Sequence, residues 1–110
     1  MWTEISVGAA QTREVLLSDG TSLTLKPGTR LTYPSHFTGR ERQVFVDGQM
    51  TAEVAKDADH PFVITSGDVT VRVLGTRFEL KSYSEDSNVE VLLLNGSVSL
   101  GIPSGDGRRE

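Results

Sequence analysis

Apolar and polar positions alternate with a period of two along most of the chain, and the most informative stretch runs from Val69 to Leu80. In its first half Val69, Val71 and Val73 are apolar, with Thr70 and Arg72 between them. From Leu74 on, the even positions Leu74, Phe78 and Leu80 are apolar, with Arg77 and Glu79 between. Successive strand side chains point to opposite faces, so each half predicts a half-buried strand. The phase slips by one residue at Val73/Leu74, beside Gly75. Left uncorrected, such a slip turns the buried face to solvent. The chain must therefore bend, bulge or change sheet there, and Gly75 can take the backbone angles such a feature needs. The stretch predicts a long central strand with a built-in corner; the alternative is two strands with a turn at Leu74-Gly75.

The remaining pattern fills in more strands. Trp2, Ile5 and Val7 suit a short first strand. Val15, Leu17, Leu23 and Leu25 flank Ser18-Asp19-Gly20, and Asp-Gly between apolar runs signals a hairpin. Parity selects its loop. A three-residue loop pairs Leu17 with Thr21 and Val15 with Leu23, keeping the odd apolar residues on one face, so a type I turn with left-handed Gly20 in a bulge is expected. Lys26-Pro27-Gly28 is a turn. Leu31 and Tyr33 predict a short strand stopped by Pro34, with Phe37 tucked inward from the following loop. Val44, Val46, Met50, Ala52 and Val54 alternate on even numbers. Asp47-Gly48 interrupts without changing the phase, which favours one bent strand over a tight hairpin. Lys56 to Pro61 is a polar loop, and Phe62-Val63-Ile64-Thr65 a strand apolar on both faces. Ser66-Gly67-Asp68 turns into the stretch at Val69.

Tyr83 to Asn88 reads as an acidic surface loop. Val89 to Leu94 is the most continuously apolar run and predicts burial on both faces. Asn95-Gly96 is the best two-residue type I′ signal, placing Leu93 opposite Val98 and Val91 opposite Leu100. Together these readings predict an all-β single domain of about eight to ten short strands, β-sandwich or jelly-roll-like or a short β-helix-like roll. It would span residues 1–102, with 103–110 as a flexible C-terminal linker.

Composition narrows the function. At 110 residues one core is feasible, burying roughly two-thirds of the unfolded surface. Aromatics make up only 6%, so Val, Leu, Ile and Thr carry the packing, and these suit strands. A net charge of -4 argues against nucleic acid, which needs clustered cations. Arg40 with Arg42, and Arg108-Arg109, read as a solvated edge and a solvated terminus. With no cysteine, disulfides, thiolate zinc sites and cysteine nucleophiles are excluded. No run approaches the roughly 20 apolar residues of a membrane helix, and no signal peptide is expected.

His36 and His60 sit in loops without the further ligands a metal site needs. Ser35-His36 lacks a motif for a nucleophilic site. Glu85-Asp86 and Asp57/Asp59 lack the cleft of a glycosidase pair and the spacing of an EF-hand. Asn95-Gly96-Ser97 matches a glycosylation acceptor but serves better as the turn. No catalytic, metal or cofactor-binding residue is therefore expected.

Several runs then fall in a recognisable order. Leu17 to Leu25 looks like L-x-D-G-S/T-x-φ-x-L, and Leu31-Thr32-Tyr33-Pro34 follows it. Arg42 to Gly48 is similar to R-x-V-x-L-x-G, and Pro61 to Thr65 to P-F-x-V-x-T. Val71 to Leu80 looks like V-x-V-L-G-T-x-F-N-V, and Val89 to Leu100 like V-x-V-x-L-x-x-G-x-V-x-L. The order and spacing resemble the periplasmic domain of the FecR family, anti-sigma factors of TonB-linked cell-surface signalling, over about residues 7 to 101. Two departures are Gln49-Met50-Thr51-Ala52, where the family usually has Glu-Ala-aromatic-Phe, and Glu79 in place of its usual Asn.

The resemblance implies a non-enzymatic signalling domain in the periplasm, within an inner-membrane single-pass protein whose membrane helix precedes Met1. Its partners would be the periplasmic signalling domain of a TonB-dependent outer-membrane transducer and further domains of its own parent. The sigma factor would be held only through a cytoplasmic segment absent here. The motif residues Asp19, Gly20, Arg42, Gly48, Gly75, Thr76, Phe78 and Gly96 read as structural, and no partner-binding residue stands out. A small carbohydrate- or ligand-binding β-sandwich module is the alternative.

Overall fold

The structure, a computed structural model, describes residues 2–83, 90–95 and 98–101, with 91–95 and 98–101 described by their backbone alone. Among the described residues it holds ten strands and no helix: β1 (Trp2–Ser6), β2 (Arg13–Leu16), β3 (Ser22–Leu25), β4 (Arg30–Pro34), β5 (Arg42–Glu53), β6 (Phe62–Ser66), β7 (Val69–Val73), β8 (Arg77–Ser82), β9 (Glu90–Asn95) and β10 (Val98–Gly101). The all-β expectation holds.

The strands form two layers that share β5. One runs β1-β4-β5-β6-β7-β10 and the other β2-β3-β5-β8-β9. The first half of β5 pairs with β4 and, in parallel, with β6; its second half pairs with β3 and β8. The change of layer falls at Asp47-Gly48, where Gly48 has φ 136. Corners of this kind are made by strands that switch sheets through a bend. A straight 12-residue strand would be about 40 Å long. Instead the Arg42 side chain reaches the Ala55 carbonyl at 2.8 Å, so the bend brings the two ends of β5 together. That proximity lets residues 54–61 return to the start of β6 without a long crossover.

Parity along β5 survives the bend. Val44, Val46, Met50, Ala52 and Val54 are all buried, as their even numbering requires. They meet Leu23, Leu25, Leu31, Phe62, Ile64, Val71, Val73, Phe78 and Leu80 in one cluster between the layers. Phe62, Val63 and Ile64 are all buried, which fits a strand apolar on both faces. Phe37 is tucked against Phe62 edge-on, 5.9 Å between centroids. The first hairpin is as parity predicts: Val15 faces Leu23, the Leu17 amide donates to the Thr21 carbonyl at 2.8 Å, and Gly20 has φ 92.

Three expectations need correction. The Val69–Leu80 stretch is not one central strand; β7 and β8 lie in different layers, joined by residues 74–76, and the centre is β5. The phase slip at Val73/Leu74 marks this change of sheet. Gly75 does not adopt a positive φ there. It is needed because a Cβ would lie 2.6 Å from the Lys56 Cα. The expected pairing of Leu93 with Val98 and Val91 with Leu100 is also not seen among the described residues: Leu93 faces Phe78 and Val98 faces Val73, so β9 and β10 pair in different layers. Pairing with β7 and β8 overrides the local turn signal. The loop 84–88, Gly96 and the linker 103–110 lie outside the described residues, as do the side chains of the apolar run after Val89.

Candidate functional site

Four segments converge at the end of the molecule where β5 begins, and Arg42 joins them. Its even number puts it in line with Val44 and Val46, so it points between the layers and is 2% exposed. This corrects the solvated-edge reading; its neighbour Arg40 is exposed. An unpaired buried cation costs several kcal/mol or more, and here it is fully met. Nε donates to the His60 carbonyl at 2.6 Å. Nη1 donates to Asp19 Oδ2 at 2.7 Å and to the Ala55 carbonyl at 2.8 Å. Nη2 donates to the carbonyls of Leu74 at 3.3 Å and Asp57 at 3.5 Å. The guanidinium lies over the Phe62 ring, 5.4 Å from its centroid.

Asp19 completes the clamp. Its carboxylate accepts from the Thr21 amide at 2.9 Å and the Thr21 hydroxyl at 2.7 Å, which fixes the hairpin turn. The Thr21 hydroxyl in turn accepts from the Ala55 amide at 3.1 Å. The corner at Gly75 is held by two backbone bonds, Val54 to Thr76 at 2.9 Å and Asp57 to Leu74 at 3.0 Å. Of the motif residues, the structure thus brings together Asp19, Gly20, Arg42, Gly75 and Thr76. Phe78 is fully buried in the core, and Gly48 lies at the β5 bend against Thr29. The clamp consists of one ion pair and several ties to backbone, and it leaves Arg42 no free N–H for a ligand.

Beside the clamp is a shallow cleft of about 260 Å³, lined by Ser18, Asp19, Phe37, Thr38, Gly39, Arg42, Asp57 and His60. His60 Nδ1 lies 2.9 Å from Asp57 Oδ2, both side chains about half exposed. The hydrogen bond from His60 holds the Asp57 carboxyl below its usual value, with the Asp59 amide and Arg42 adding to the effect. His36 is exposed and bonded to its neighbour Ser35's carbonyl. Among the described residues no group of three or more His, Asp or Glu could hold a metal ion, and no helix is long and apolar enough to cross a membrane. Glu85-Asp86 lies outside the described residues.

Sequence reasoning missed one surface feature. Trp2 and Phe45 are 51% and 43% exposed, with ring centroids 5.9 Å apart. The signal was available: Phe45 is an apolar residue on the polar phase of β5.

The molecule is thus a two-layer β domain built on one bent strand, with most of its motif residues tying turns together. The family profile described as FecR protein matches residues 3–99, and the chain belongs to the FecR family. Two crystal structures described as an anti-sigma factor from Parabacteroides distasonis are similar to it. One has TM-score 0.78 at 35% identity, covering 94% of this chain and 52% of that one. The other has TM-score 0.76 at 35% identity, covering 92% and 51%. The chain therefore spans about half the length of these relatives. No curated protein matches it.

Proposed function

We propose that this domain is the periplasmic signalling part of a transmembrane anti-sigma factor. In this reading it relays the state of a TonB-dependent outer-membrane transducer to a cytoplasmic extracytoplasmic-function sigma factor and performs no catalysis. The observation that carries the reading is the FecR match over residues 3–99, supported by the likeness to structures described as an anti-sigma factor. The clamp supports a relay, because its polar groups are directed at the protein's own backbone. Residues 103–110 would lead into a further domain, and the half of the solved relatives that this chain does not cover leaves room for one.

The test is a calorimetric titration of residues 1–110, and of a version extended through the next domain, against a transducer signalling domain and against the sigma factor. Binding of the signalling domain, weak for residues 1–110 and stronger for the longer version, is expected. Tight sigma-factor binding by residues 1–110 would overturn the reading. Equal affinity of both versions for the signalling domain would place the whole contact on this domain.

A further inference from the structure

Four strands lie at sheet edges among the described residues, and one is unlike the rest. β2 and β10 have four residues each, and β9 carries a register shift against β8. β1 runs five residues in unbroken register against β4 and contains no Pro or Lys, Glu4 being its one charged residue. Natural edges are normally blunted by such residues, by bulges or by shortness. An edge left open beside an exposed aromatic pair is a feature with a use.

Register shows which side chains share that surface. Leu31 and Val46 are buried and paired, so Thr32 and Phe45, the next pair, face outward. Glu4 pairs with Thr32 and Trp2 with Pro34 on the same face. Trp2, Glu4, Thr32 and Phe45 therefore form one outward patch along the β1 edge. Glu4 is exposed and, among the described residues, has no ion-pair partner. The Trp2 and Phe45 ring planes are tilted by 49°, which does not make the flat platform a sugar ring stacks on.

We propose that the β1 edge receives an extended strand from a protein partner. Strand addition uses backbone hydrogen bonds for affinity and alternate side chains for specificity. On the outward face the added strand would set an apolar side chain beside Trp2 and, two residues along, a basic one beside Glu4. Cross-strand neighbours at this distance select for opposite charge and for aromatic–apolar pairs. The proposal deepens the signalling reading only in naming where and by what chemistry a partner docks.

The experiment titrates ¹⁵N-labelled residues 1–110 with a cyclised hairpin peptide whose outer strand reads Thr-Leu-Thr-Lys-Thr, following amide shifts. Shifts confined to β1, β4 and the Phe45 region are expected. Glu4→Lys should weaken binding roughly three- to tenfold, and a peptide with Glu for Lys should recover it. Trp2→Ser should weaken it roughly tenfold. Both positions are exposed, and an otherwise unchanged spectrum serves as the folding check.

Shifts at the β2, β9 or β10 edges, or indifference to both variants, would overturn the proposal. So would β1 shifts that grow with protein concentration alone, which would make a second copy the occupant, or stronger shifts at Trp2 with cellohexaose. Should the peptide bind β1 and no transducer signalling domain bind at all, the signalling reading falls and this one stands. Should such a domain bind elsewhere by the same spectra, this one falls and the signalling reading stands.

Discussion

At Gly48 the chain passes between layers and remains a strand; at Gly75 it passes between layers and stops being one. Both glycines pack against backbone: a Cβ would lie 2.7 Å from the Thr29 Cα at Gly48 and 2.6 Å from the Lys56 Cα at Gly75. Only Gly48 also has a left-handed φ, +136. Around it the apolar parity is unchanged, because the bend folds the strand about its inner face. Around Gly75 the parity inverts, because residues 74–76 interrupt the ladder before β8 resumes. The supports differ as well. The Gly48 bend is pinned by Thr29, whose hydroxyl donates to the Gln49 carbonyl and accepts from its amide, both at 3.0 Å. The Gly75 corner is tied to Arg42 through Leu74. An intact phase across a glycine thus marks a bent strand, and a broken one marks a change of partner.

The comparison is broken most severely by removing its charged support. Arg42→Met should destabilise the domain by about 4 kcal/mol, since it strands Asp19 and several carbonyls in a buried site. A urea midpoint shift of that order checks it, and Asp19→Asn should cost less because Asp19 keeps some solvent. Gly48→Ala comes next, at about 3 kcal/mol, as backbone strain and overlap with Thr29 act together. Gly75→Ala should cost about 2 kcal/mol from overlap alone. Equal effects at the two glycines would remove the distinction drawn between them. Gly20→Ala should cost about 1 kcal/mol, because its φ of +92 is strained while a Cβ there meets only Ala55 at 3.9 Å.

The smallest effect is on pH. Asp57 has its folded pKa depressed below 3.8, first by the hydrogen bond from His60. A depressed carboxyl contributes stability that is full above the unfolded value and is lost as pH falls through the folded one. The urea midpoint of the wild type should therefore drop below about pH 4, and Asp57→Asn should flatten that drop.

Much of this was legible in the residues. Leu17, Val15, Leu23 and Gly20 gave the hairpin and its bulge because parity and turn chemistry are local. The even positions from Val44 to Val54 gave the buried face of β5 and its continuity through Asp47-Gly48. Asn95-Gly96 misled for the opposite reason. A turn signal says nothing about which neighbours are already available, and β7 and β8 take the flanking strands. Val69 to Leu80 advertised its slip but not that β5 would be the shared strand, since sharing depends on pairings far apart in sequence. Arg42 shows a bias in reading charge. Its parity placed it inside, yet a cation was assigned to solvent because its five acceptors, four of them main-chain carbonyls, carry no sequence signature. Phe45 stands out on the polar phase of β5, but its pairing with Trp2 is not legible because the two meet only across β4.

Because β5 belongs to both layers, neither can come apart while the other stays whole. Its amides, paired on both sides by β3, β4, β6 and β8, should be the last to exchange with deuterium, and only through global opening. A tug on an edge strand is then felt by a single cooperative body, which yields everywhere at once or nowhere.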